Sequence, residues 1–320
     1  MSFTKYIVRR LAQMIPVILA VTIFNFLIIN LAPGDPATVL AGENATQEYI
    51  DELRESYGLN EPIHTRLKLY IQKLLKGDLG VSYKYQQPVS AIIKEKMKVT
   101  LMLVLLSEIA TIIVGTALGA LAARHEGKFI DNAISNISMM LYCMPVYWLG
   151  MLLILFFAVK LKWLPSSGMY SFGIQKYSKT IDLIRHLILP SLTLFLVHLP
   201  TYIKLTRSTV VEVAQEDYIR TARAIGYSEK DIYKKHALRN ALLPTVTIAG
   251  MSLSTVFSGA LLTETVFSWP GMGRMIYDGV AMRDYPLIMG GFLVTTILVV
   301  VGSLITDLIY MYLDPRVVNS

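Results

Sequence analysis

The sequence predicts an all-α integral membrane protein with about six transmembrane helices and both termini cytoplasmic. Three observations carry that prediction. Hydrophobic residues make up 54% of the 320, and the mean hydropathy of +0.50 is too high for an ordinary soluble domain. The apolar residues gather into runs that reach the length needed to cross a bilayer, about 20 residues at 1.5 Å rise each. Between two of these runs lies a polar stretch, Lys204–Pro244, rich in Lys204, Arg207, Arg220, Arg223, Lys230, Lys234, Lys235 and Arg239. Short loops of this composition resist translocation and stay cytoplasmic.

The elements follow in order. Lys5, Arg9 and Arg10 precede an apolar run from Leu11 to Ala32. The run is longer than a signal-peptide core and no convincing small-residue cleavage site follows it, which predicts a retained first span with its N-terminus inside. The segment 1–32 is therefore one unit of the organisation. The segment 33–98 is a second, a small extracytoplasmic insertion with helical patterning over Gln47–Gly58 and Ile63–Gly77 and glycine stops at both ends. Residues 99–320 form the third, the core, with five further spans expected near Val99–Ala123, Ile137–Val159, Leu187–Ile203, Leu243–Val266 and Leu287–Leu313. Arg124–Lys128 supplies a cytoplasmic turn. Lys162, Lys176, Lys179 and Arg185 on the opposite side weaken the charge asymmetry, but the cluster over 204–239 outweighs them.

The net charge of +7 belongs largely to that cluster and to the start of the chain, so topology explains it without nucleic acid. A single cysteine, Cys143, excludes an intrachain disulfide and a cysteine metal cluster. Pro145, Pro190 and Pro200 are expected at kinks or near helix ends. Thr111, Gly115 and Gly119 form a small-residue stripe in the second span, and Gly250, Ser254 and Ser258 form one in the fifth. Such stripes permit close helix approach; in the fifth span, where Ser252 and Thr255 add hydroxyls, pore lining is an equal reading. Glu108 is the most notable charge inside a span. It either pairs with a neighbouring helix or relays a proton. Trp269-Pro270-Gly271 suits a turn at the membrane surface with Trp269 as anchor.

Within the polar stretch, Asp217–Ile225 reads as a short helix stopped by Gly226. Tyr218, Ala222 and Ile225 share one face with Ile219 beside them, and Ser228–Asp231 resembles a capping box opening a second helix. A short amphipathic helix of this kind docks into a groove on a partner or lies on lipid headgroups. No GxxxxGK[ST] loop occurs, Gly271-Met272-Gly273 lacks the setting of a dinucleotide fingerprint, and the histidines are scattered without ligand spacing. The chain therefore reads as a transport component driven from elsewhere, with no cofactor of its own.

DYIRTARAIG (217–226) followed by HALRNALLP (236–244) resembles the EAA loop of permease subunits of ABC importers. Its departures, Arg220 in place of the Glu and a late Leu243-Pro244, resemble the peptide/nickel (OppB/DppB-like) group. LAPGDPA at 31–37, GDLG at 77–80, ETVFSWPGMGR at 264–274, RDYP at 283–286 and LDPR at 313–316 extend the likeness over nearly the whole chain. The resemblance implies a prokaryotic plasma (inner) membrane location and a homologous second permease chain. It also implies two ATPase subunits that hold ATP and Mg, and an extracytoplasmic solute-binding protein. It assigns coupling to the ATPases to Asp217, Tyr218, Ile219, Arg220, Thr221, Ala222, Arg223 and Gly226. The implied substrates are dipeptides or oligopeptides, with nickel or a metal chelate as the alternative. A more remote alternative is an ion-coupled transporter using Glu108, against which stand the lack of an inverted repeat and the single strong buried acid.

Overall fold

The computed structural model describes residues 3–31, 33–42, 45–173, 177–228, 245, 248–249 and 260–313. Among these the structure is helical, with one isolated antiparallel bridge between Val81 and Pro88. Four helices are long and apolar enough to cross a membrane, or up to five if the bent pair Phe129–Cys143 and Val146–Lys160 counts as one span. Most of the expected fifth span lies outside the described residues, so the described count stops short of six.

The chain divides into two compact units, Met1–Thr100 with Pro270–Val300 and Leu101–Trp269 with Val301–Ser320. In the first, α1 (Phe3–Leu31) runs as a continuous helix past Pro16 and buries only Thr22 and Phe26 of its described side chains. The insertion then begins with α2 (Pro36–Ala41), an element the sequence reading passed over. Its signal was present: Asp35 caps the helix by accepting the Ala37 N–H at 3.1 Å, and proline is pre-set for a first helical position. The Asp35 carboxylate also takes the Arg54 Nε–H at 2.9 Å, tying α2 to α3 (Gln47–Ser56), and α3 is followed by α4 (Ile63–Leu75). Tyr70 of α4 stacks on Phe26 of α1, ring centroids 5.6 Å apart.

Motifs far apart in sequence converge in this unit. Asp284, fully buried, accepts hydrogen bonds from the Ser82 hydroxyl at 2.5 Å and the Lys84 N–H at 3.1 Å. The Arg283 guanidinium lies against Gly34, where a Cβ would come within 2.2 Å of it. The core beneath is built from Val89, Ile92 and Ile93 at the start of α5 (Val89–Arg124), Met272, Met275 and Ile276 of α10 (Met272–Met282), and Leu287 of α11 (Tyr285–Leu313). The Thr100 hydroxyl accepts the Met272 N–H at 2.8 Å and so closes the N-terminus of α10.

In the second unit, α5 continues and is followed by α6 (Phe129–Cys143), α7 (Val146–Leu153) with a π-helical turn over Ile154–Lys160, α8 (Lys179–Ala214) and α9 (Asp217–Ala224). The third span bends by 104° at Pro145, where a kink or helix end is expected. The residue before a proline is pushed out of the helical region, and Met144 has ψ 124. The fourth helix is far longer than its apolar stretch. It starts at Lys179 because Asp182 in its first turn, buried, accepts the Ser171 N–H and hydroxyl, both at 2.7 Å. Trp269 is fully buried and is no surface anchor; an aromatic beside a turn looks the same in sequence whether it faces lipid or interior.

Candidate functional site

The α8–α9 corner is where the sequence reading placed function, and its geometry is set by helix ends. At 36 residues, α8 is about 54 Å long, against roughly 30 Å for a hydrocarbon core. It is therefore too long to lie wholly within such a layer along its normal. At its C-terminus Gln215 and Glu216 break the helix and α9 restarts with Asp217 in its first turn and Arg223 in its last, each favourable to the helix dipole. At the far end the Tyr227 N–H bonds the Ala222 carbonyl at 3.2 Å and the Gly226 N–H bonds the Arg223 carbonyl at 3.0 Å. This pair of bonds needs a left-handed residue, and Gly226 has φ +92.

The amphipathic face of α9 is split. Ile219 and Ala222, 0% and 6% exposed, pack on Val213 of α8 within the same chain. Tyr218 and Ile225 remain 41% and 70% exposed, and Arg220, Thr221 and Arg223 are exposed with them. Ala222, expected at the centre of a docking face, thus fixes α9 to its own stem, and the outward surface is formed by its neighbours. A helix of eight residues is too short to hold itself in water, and burying one face on Val213 supplies what its length does not.

Above the corner, α8 is packed on α5. A Cβ on Gly115 would come 2.6 Å from Tyr202 Cβ, and one on Gly119 would come 2.6 Å from the Ile203 carbonyl oxygen. The glycines of the second-span stripe are therefore packing residues. Contacts advance in the same sense on both helices, so α5 and α8 run parallel and the chain returns between them. On the same face of α5, Glu108 is 2% exposed and its carboxylate accepts the Tyr202 hydroxyl of α8. Gly250, Ser254 and Ser258 lie outside the described residues, as does the part of the loop from Glu229 to Pro244.

One cluster escaped the sequence reading. Asp131, in the first turn of α6, accepts Nε–H and Nη2–H of Arg207 at 2.5 and 2.7 Å. The same carboxylate takes the Gly127 N–H at 2.9 Å and the Ser135 hydroxyl at 3.3 Å. Arg207 had been read only as part of the loop's positive charge. The signal for its partner was a lone acid at the head of an apolar helix.

Among the described residues no group of His, Cys, Asp and Glu could hold a metal ion. A family model described as binding-protein-dependent transport system inner membrane component matches residues 115–319, and its N-terminal counterpart matches residues 3–104. The chain belongs to this family. The permease is 38% identical to the dipeptide transport system permease protein DppB of Alkalihalophilus pseudofirmus, over 98% of each chain. It is 37% identical to the oligopeptide transport system permease protein AppB of Bacillus subtilis and 35% identical to DppB of Escherichia coli K12, again over 98% of each chain. In fold the permease resembles a chain of the inward-facing MetNI methionine ABC transporter, with TM-score 0.54 and 19% identity over 70% of this chain and 97% of that one.

Proposed function

We propose that the permease forms half of an ATP-driven import pathway for dipeptides or oligopeptides. A homologous permease chain supplies the other half, an extracytoplasmic binding protein delivers the peptide, and two ATPase subunits hold ATP and Mg. Both termini and the 204–244 loop face the cytoplasm. This chain binds no cofactor and catalyses no reaction. The observation that carries the reading is the end-to-end match to permeases named for dipeptide and oligopeptide transport, 98% of each chain. Those names favour peptides over nickel or a metal chelate.

The geometry supports a coupling role for α9. An ATPase pair that binds ATP more tightly when closed has energy to spend on whatever moves with it. The outward residues Tyr218, Arg220, Thr221, Arg223 and Ile225 offer the contact, with Asp217 and Gly226 setting the start and end of the helix. Ile219 and Ala222 pass the movement to Val213 and the α8 stem. The test is reconstitution of the full complex in vesicles with its binding protein and labelled peptides. Uptake should require ATP and survive collapse of the proton gradient. Uptake that follows the gradient without ATP would overturn the energy source, and uptake of a nickel chelate but no peptide would overturn the substrate.

A further inference from the structure

We propose that the Asp131–Arg207 ion pair is the strut that carries movement of α9 into the membrane-crossing helices, a positioning role that rests on the coupling reading above. Three placements converge on it. Arg207 lies on the same unbroken helix as Val213, about 9 Å further up its axis, so a displacement of α9 against Val213 reaches Arg207 along one rigid element. Its guanidinium grips Asp131 through two parallel bonds, Nε to Oδ1 and Nη2 to Oδ2. A fork on a carboxylate resists both sliding and rotation, which a single contact does not. Asp131 in turn holds the Gly127 N–H and the Ser135 hydroxyl, so the turn between α5 and α6 moves with it.

The neighbouring residue on α8 completes the body. Thr206 lies on the Gly119 notch of α5, where a Cβ would come 2.8 Å from its own Cβ. Successive residues of α8 therefore engage α5 and α6. On the α6 side the packing is not continuous. A cavity of about 700 Å³ opens between α6 and α8, lined by Ser138 and Tyr142 on one helix and Pro200, Lys204 and Arg207 on the other. Beside that space the ion pair adds a directed, charge-assisted link to the packing of α6 on α8. Asp131 is 2% exposed at its side chain and Arg207 32%, so the carboxylate is shielded from competing water while the cation retains some solvation.

The experiment uses the complete complex with partner permease, ATPases and binding protein, carrying Asp131→Asn, Arg207→Gln or both. The readouts are ATPase co-purification, ATP hydrolysis without substrate, and peptide taken up per ATP. Each single variant should keep its ATPases and its basal hydrolysis, while uptake per ATP falls roughly tenfold, the lower end of what a lost hydrogen bond to a charged group costs. The double variant should be no worse than the poorer single one, because both remove the same contact. Arg207→Lys, which keeps the charge and loses the fork, should fall between. Unchanged uptake per ATP would overturn the proposal. So would losses that add, and so would loss of assembly in both single variants, which would make the pair a folding staple. If substitutions on the outward face of α9 also leave uptake intact, the coupling reading itself has failed. If those uncouple and the strut variants do not, only the strut is wrong.

Discussion

A carboxyl group inside an apolar helix costs about 3 kcal/mol on insertion scales unless it faces a partner, and Glu108 faces the Tyr202 hydroxyl. The phenol needs an acceptor, and an amide oxygen serves as well as a carboxylate. Glu108→Gln should therefore keep most transport. Glu108→Leu removes the acceptor that α5 offers the Tyr202 hydroxyl and should lower the yield of assembled complex. Comparing uptake by the two variants at equal expression checks this; a Gln variant that assembles but does not transport would make the charge itself essential and revive a proton role. The acid was visible in the sequence, but its partner was not. Tyr202 lies 94 residues away on a helix whose register against α5 is set by glycine contacts. The same limit hid Asp131, whose meaning depends on Arg207 76 residues later.

At the scale of the element, the sequence placed α9 and its glycine stop to within one residue, because a capping glycine and a helical period are local signals. It did not reveal which apolar residues turn inward. Tyr218, Ile219, Ala222 and Ile225 span an arc wide enough to be divided, and only Val213 decides the division. The expected outcomes differ accordingly. Tyr218→Ala with Ile225→Asp should cut ATPase co-purification while leaving α9 folded, because both residues are exposed. Ala222→Asp should loosen α9 from its stem, since an unpaired charge would sit against Ile219 and Val213, and such burial costs several kcal/mol in general. Faster hydrogen exchange over 217–226 in the Ala222 variant alone would distinguish the two; equal exchange would show that Ala222 is not a fixing residue. Gly226→Val should misdirect the helix end, because φ +92 is strained for a β-branched residue. The third span shows a related limit: Pro145 announces a break but not its angle.

For the whole molecule, the parallel course of α5 and α8 fits a chain that alternates sides between successive spans. Single cysteines replacing Glu48 and Lys84, in a Cys143→Ser background, should react with an impermeant thiol reagent on intact cells. One replacing Lys128, in the turn after α5, should react only after permeabilisation. The reverse pattern would invert the proposed topology and overturn the proposed coupling role of the 204–244 loop with it. Composition made the membrane class legible, since apolar run length is a global signal. The extent of α5 and α8 was not legible, because their ends are polar; at the start of α8 it is the buried Asp182, bonded to Ser171, that holds the first turn rather than hydropathy. The insertion has a consequence of its own for building hybrid transporters. Its turn at Ser82–Lys84 and its Gly34 are held by Asp284 and Arg283, residues that lie on the other side of the core in sequence. A swap of residues 33–98 between two permeases is therefore not a clean graft. The donor's 283–286 turn has to travel with it, or the transplanted piece arrives without the residues that hold it in place.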